Sequence, residues 1–121
     1  MFKILFYKNK DGKSELKDEI RELAKQSLSN KNARIQFKQI NYCINLLEKW
    51  GTALPEKVTK HLKEDIWELR PGNNRILYFF FEKDTYVLLH MFKKKTQKTP
   101  KQEIEKALKE RNDYRARNGG K

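Results

Sequence analysis

Three groups of side chains in this sequence are of types that do chemistry. The first lies in HMFKKKTQKTPKQEIEKALKE, residues 90–110, where Lys93, Lys94, Lys95, Lys98 and Lys101 gather around Thr96 and Thr99, with no acid from 93 to 101. A solvated helix face mixes its signs, and this stretch does not. The free N–H groups and dipole of the helix it leads into would also favour an anion. The choice is between an exposed basic turn that keeps the protein soluble and a contact for phosphates; the lack of acids favours the contact. The second group is Glu68, Arg70 and Arg75, set around the turn Pro71-Gly72-Asn73-Asn74. Strand alternation in IWELR puts Trp67 and Leu69 on one face and Ile66, Glu68 and Arg70 on the other. Arg75 opens the following strand, within cross-strand reach of Glu68 or Arg70. A strand-end salt bridge and a phosphate-gripping arginine are both open on these residues alone.

The third group is the two histidines, whose unperturbed pKa lies nearest neutrality. His90 reads as a buried, hydrogen-bonded strand residue sharing a face with Leu88 and Phe92. His61 reads as a surface residue of the charged stretch Lys57 to Lys63. No pair of histidines at i, i+4 with a glutamate occurs, nor a carboxylate cluster or a glycine-rich phosphate loop, so no metal and no cofactor are expected. The single cysteine, Cys43, lies on an apolar helix face and reads as core. It also excludes an internal disulfide.

These groups sit in a chain of 121 residues carrying 28 Lys+Arg against 16 Asp+Glu, a formal charge of +12. From Lys93 onward eleven cations face four acids, so +7 of that charge lies in the last quarter. Such an excess favours an anionic partner: nucleic acid first, an acidic protein second, an anionic membrane surface third. The longest apolar run, Ile76 to Phe81, is far short of the ~20 residues a membrane helix needs, and MFKILFYK is too short for a signal peptide. A cytoplasmic protein with no membrane association is expected. Length and composition suit one folded domain over 1–118, with 119–121 a disordered tail.

The elements that must position these residues follow from periodicity. Phe2 to Tyr7 reads as a first strand, ended by the turn Asn9-Lys10-Asp11-Gly12. Helical spacing of Leu16, Ile20, Leu23, Ala24 and Leu28 predicts a helix over 14–28 with Ser14 as N-cap. Phe37, Ile40, Cys43, Ile44, Leu47 and Trp50 predict a second over 33–50, closed by Gly51. Residues 52–65 read as a loop of poorly defined structure. IWELR, RILYFFF and TYVLLHMF read as an antiparallel meander whose last two strands, apolar on both faces, should be central and covered. A final helix begins with Thr99 as N-cap, Pro100 at N1 and Gln102 completing a capping box. The order β-α-α-β-β-β-α describes an α+β domain: an antiparallel sheet of four strands packed by an N-terminal helix pair and a C-terminal helix.

In DIWELRPGNNRILYFFF followed by VLLHMFKKKTQKTPKQEIEKA, the chain resembles the phage-derived branch of the RelE/HigB toxins of type II toxin–antitoxin systems. The resemblance rests on E-L-R, the R-x-x-Y of Arg75 to Tyr78, and the F-x-K-K-T-x-K-T-P of Phe92 to Pro100 taken together, and it covers about residues 1 to 117. It implies a RelE-like fold and a toxin that enters the ribosomal A site and cuts the bound mRNA. A cognate helix-turn-helix antitoxin, HigA-like, would neutralise it. By that resemblance Arg75 contacts the scissile phosphate, Glu68 and Arg70 hold the charged positions of the preceding strand, and Lys93 to Lys95 match the basic stretch after the last strand. The expected catalytic set is therefore Arg75, Glu68, Lys94 and Lys95, with Arg70, Lys93, Thr96, Lys98 and Lys101 as RNA contacts. The tyrosine that follows the basic stretch closely in other members stands here well along the helix, as Tyr114.

Metal-independent RNA cleavage needs the 2′-hydroxyl deprotonated, the phosphorane neutralised and the 5′-oxygen protonated. Arginine and lysine serve the second task directly. Crowded cations disfavour one another's protonated forms, which makes one of Lys93 to Lys95 a candidate acid or base, with Glu68 the alternative base. The rival readings are a non-enzymatic poison of related fold, as in gyrase-binding ParE toxins, and a basic RNA-binding module.

Overall fold

The computed structural model describes residues 1–119. Its elements are β1 (Lys3–Phe6), α1 (Glu15–Gln26), α2 (Lys31–Trp50), β2 (Thr59–Lys63), β3 (Ile66–Leu69), β4 (Asn74–Phe80), β5 (Thr85–Lys93) and α3 (Lys101–Asn118). The strands form one sheet in the order β1-β5-β4-β3-β2. The α+β class and the helix placement agree with the sequence reading, but the sheet departs from it in two ways. It has five strands, because Thr59–Lys63 pairs antiparallel with β3. It is also mixed, because β1 runs parallel to β5 while the other pairings are antiparallel.

Each helix of the N-terminal pair is capped by the residue type its end requires. Ser14 Oγ accepts the Lys17 N–H at 3.1 Å, and Asn30 Oδ1 accepts the Ala33 N–H at 3.0 Å, satisfying donors that the first turn leaves free. Gly51 closes α2 at φ 59°, and a Cβ there would stand 2.7 Å from the Tyr86 hydroxyl, so only glycine fits. Both helices pack on one sheet face, where Leu16, Ile40, Cys43 and Leu47 meet Leu69, Ile76, Tyr78, Tyr86 and Leu88. The other face is covered by α3: Ile66, Leu77, Phe79, Val87 and Leu89 meet Ala107, with Leu108 and Tyr114 beside it. The expected burial of the two central strands on both faces is realised in β4 and β5.

One irregularity sets which side chains face α3. Leu77 pairs with His90 and Tyr78 with Leu88, so Leu89 is an extra residue, a bulge in β5. Val87, Leu89, His90 and Phe92 therefore lie toward α3, whereas Tyr86, Leu88 and Met91 lie toward the helix pair. His90 shares a face with Phe92 as expected, but Leu88 is on the opposite one. Gly119, in the left-handed conformation, caps α3 and donates its N–H to Arg115 O. Of the tail expected to be disordered, residues 120–121 lie outside the described residues.

Candidate functional site: a cationic cleft at the head of the last helix

β3 and β4 bring Glu68 and Arg75 to the α3 face of the sheet, close to the segment 94–100 that leads into α3. The Glu68 side chain is only 2% exposed, and its Oε2 accepts from Arg70 Nε at 2.9 Å and lies 3.9 Å from Arg75 Nε. Its Oε1 accepts from the Thr99 hydroxyl. The expected alternation of IWELR and the expected ion pairing across the turn are both present. Two guanidiniums on one buried carboxylate leave a local charge of +1 before any lysine is counted.

Arg75 is fixed rather than mobile. Its Nη1 donates to Gly72 O and Asn74 O, both at 2.8 Å, and Nη2 is the amino group with no protein partner among the described residues. Burial holds the proton affinity of this guanidinium below its ordinary value; Glu68 opposes that shift and the like charge of Arg70 adds to it. The arginine is thus a partly desolvated cation with both N–H donors of Nη2 unspent among the described residues.

The cleft is lined by Glu68, Arg75, Phe92, Lys94, Lys95, Thr96, Gln97, Lys98, Thr99 and Pro100. Its enclosed space is only about 10 Å³, close to one water molecule. A polyanion would lie across the mouth, where Lys94, Lys95 and Lys98 are exposed and have no ion-pair partner among the described residues. Thr96 Oγ1 donates to Lys98 O at 2.7 Å and so shapes the loop.

Among the residues singled out from sequence, Glu68, Arg75, Lys94, Lys95, Thr96 and Lys98 come together here. Arg70 stands behind them, held by Glu68 and by Glu56 O at 3.1 Å. Lys93 does not join: one residue from Lys94 on a strand, it points to the other sheet face and donates to Gln36 of α2. Lys101 is exposed on the first turn of α3 and does not line the cleft. Thr99 does not cap α3. That helix starts at Lys101 with Pro100 at its N-cap position and no side-chain cap, and the Thr99 hydroxyl is turned instead to Glu68, to which it donates.

Sequence reasoning missed Thr99 as a cleft residue and missed Phe92, which lines the cleft as the register partner of Arg75. A regular register counted from the turn sets Arg75 opposite Met91; the bulge at Leu89 is what brings Phe92 there. His90 is buried as expected, with Nδ1 2.6 Å from Glu110 Oε1 and Nε2 2.9 Å from Glu103 Oε1. Cys43 is a free, buried core residue, and burial raises its thiol pKa. His61 lies on the exposed β2, beside Trp67. Among the described residues no group of three or more metal-ligating side chains is gathered, and no helix is long and apolar enough to cross a membrane.

A helix pair on one face of a mixed five-stranded sheet and one helix on the other give this domain a RelE-like fold. The chain belongs to the family described as Phage derived protein Gp49-like (DUF891), whose model matches residues 26–112. Its fold is similar to that of a chain in the heterotetrameric YoeB–YefM toxin–antitoxin complex from Staphylococcus aureus. That match has a TM-score of 0.52 at 13% identity, covering 79% of this chain and 98% of that one. The YoeB dimer from the same organism gives a TM-score of 0.52 at 13% identity over 78% of this chain and 97% of that one. Among curated protein sequences none matches.

Proposed function

We propose that this protein is the toxin of a type II toxin–antitoxin pair and acts as a ribosome-dependent mRNA endoribonuclease. The observation that carries the reading is the Glu68–Arg75 pair: a buried carboxylate holding a partly desolvated arginine at a cleft rimmed by unpaired lysines. Membership of the Gp49-like family and the YoeB-like fold support it.

The chemistry divides among the residues present. Arg75 meets the scissile phosphate through its free Nη2 and neutralises the charge that grows on the phosphorane. Lys94 and Lys95 flank the same point, adding charge and exchanging protons with the 2′-hydroxyl and the leaving 5′-oxygen. Glu68 already accepts from Arg70 and Thr99 and faces Arg75. Its part is to hold Arg75 in position rather than to serve as the base. Lys98 and Arg70 extend the positive surface along the RNA. Because the enclosed space is so small, productive geometry has to come from a substrate ordered elsewhere, and the ribosomal A site supplies one. The partner that silences the protein is an antitoxin of helix-turn-helix, HigA-like type, and the complex works in the cytoplasm. A gyrase poison or a plain RNA-binding module would need the lysines but not a buried carboxylate fixing one arginine.

Primer extension on cellular mRNA after induction tests the reading. New 5′ ends within translated frames are expected, and they should vanish when translation initiation is blocked. Growth arrest without such ends would exclude the nuclease.

A further inference from the structure

Two hydrogen bonds tie the lysine segment between β5 and α3 to the rest of the protein, among the described residues. At its start the Lys94 N–H donates to Asn73 O at 2.7 Å. At its end the Thr99 hydroxyl donates to Glu68 Oε1. The bond from Thr96 Oγ1 to Lys98 O lies within the segment. Lys94 to Lys98 form an exposed run, whereas Thr99 is half-buried and its acceptor is a buried carboxylate.

That carboxylate has two oxygens and three claimants. Oε2 accepts from Arg70 Nε at 2.9 Å and stands 3.9 Å from Arg75 Nε, too far for a hydrogen bond. Oε1 is taken by Thr99. Arg75 therefore meets Glu68 across a gap, with Nη1 on Gly72 O and Asn74 O and Nη2 on no protein group among the described residues. Without the Thr99 hydroxyl, Oε1 would be a buried acceptor with no donor, the costly state for an ionised group. Arg75 is the cation within reach, and a guanidinium and a carboxylate favour two parallel N–H···O bonds over one long approach. We propose that Thr99 is a positioning residue for Arg75: its hydroxyl holds the Glu68 carboxylate off the guanidinium and so keeps the arginine's outer edge free for a phosphate. The inference deepens the nuclease reading above and rests on it. A hydroxyl suits the place because it donates one bond without bringing a charge that would compete with Arg75 for the carboxylate. The rival reading of the same bond is a plain tether for the lysine segment. A tether would show in RNA binding; a positioning residue shows in the rate.

The test uses the full chain with Thr99→Val, which keeps the shape of the side chain and removes its donor, and with Thr99→Ser, which keeps the donor. On ribosomes carrying a short mRNA in the A site, Thr99→Val should slow cleavage at saturating protein by about tenfold or more, with the half-saturating concentration and its salt dependence near wild type. Thr99→Ser should return the rate to within about twofold of wild type. Adding Glu68→Gln to Thr99→Val should not multiply the losses, because both changes act on one guanidinium. In the NMR spectrum of the free protein, the Arg75 Nε–H signal, identified by its absence from Arg75→Lys, should move downfield in Thr99→Val and stay in place in Thr99→Ser. An unmoved signal in Thr99→Val overturns the proposal, and so do losses that multiply in the double variant. A raised half-saturating concentration at an unchanged rate also overturns it and makes Thr99 a tether. If wild type cuts no ribosome-bound mRNA, the nuclease reading fails, and the Arg75 signal alone decides whether Thr99 holds Glu68 away.

Discussion

Two ionic clusters lie beneath the first half of α3, and they are built in opposite senses. At one, His90, 2% exposed, has a glutamate on each ring nitrogen, Glu103 and Glu110. These stand seven residues apart on one face of the helix. At the other, Glu68 accepts from Arg70 and faces Arg75, and three lysines with no ion-pair partner among the described residues stand at the solvent edge. In the first cluster both ring nitrogens of His90 are spent on glutamates of α3, so that strand and helix close on each other. The second is closed on its buried side and open on its wet side, with positive charge left over. Burial alone therefore does not single out the candidate site. A surplus of one sign, held rigidly and facing water, is what sets it apart.

The strongest way to break this contrast is Arg75→Ala. It should reduce mRNA cleavage on the order of 100-fold or more, comparable to losing an oxyanion-hole donor. The melting temperature should change little, because Arg70 still partners Glu68. Lysine at 75 should restore activity only in part, since it lacks the planar fork that grips two phosphate oxygens. A folded alanine variant that still cleaves would move the catalytic weight to Lys94 and Lys95.

His90→Ala should show the reverse pattern. It leaves two carboxylates facing each other without their partner and should cost about 2 kcal/mol in denaturant unfolding. Cleavage per folded molecule should stay near wild type. Loss of cleavage in the fully folded variant would place His90 in the functional cluster after all.

A smaller effect is expected from replacing Lys94, Lys95 and Lys98 together with glutamine. RNA or ribosome association should weaken, and its salt dependence should flatten by about 0.7 for each phosphate no longer neutralised. An unchanged salt slope would make the lysines ornaments of solubility.

The smallest effect concerns the far end of α3. There the Tyr7 hydroxyl donates to Asp113 Oδ2 at 2.6 Å, and burial, reinforced by Asp113, raises its pKa to about 12. Folding therefore favours the protonated phenol over the unfolded chain's, whose pKa is about 10. That stabilisation is fully present below pH 10 and is lost as pH rises toward 12. Tyr7→Phe should soften the alkaline loss of stability without removing it, because burial also raises the Tyr78 pKa. Identical alkaline unfolding curves would dismiss the contribution.

What could be read from the sequence was whatever depends on local rules. Ser14 and Gly51 end their helices because capping chemistry is local, and IWELR sorts its faces because alternation is local. The Glu68–Arg75 meeting was legible because a short turn joins their strands. What escaped was decided by distant parts of the chain. Thr59–Lys63 shows no clear period because an edge strand that buries only Thr59 and part of Leu62 needs none. The parallel pairing of β1 with β5 joins residues about eighty positions apart, and nothing in Phe2 to Tyr7 names its neighbour. Thr99 looked like a cap because the carboxylate its hydroxyl turns to, Glu68, lies thirty-one residues away. Lys93 looked interchangeable with Lys94 and Lys95 because charge was visible and facing was not.

That last point turns on Leu89. The run from Tyr86 through the end of β5 to Lys94 behaves like a reading frame with a single inserted letter: up to Leu88 the even positions face the helix pair, and from His90 onward they face α3. The insertion hands Phe92 and Lys94 to the cleft and sends Lys93 away from it. Removing one residue at this point would leave hydrophobicity, charge and length almost untouched while swapping every later side chain to the wrong side. For descendants of this sequence, β5 is therefore intolerant of a missing letter, whatever its spelling.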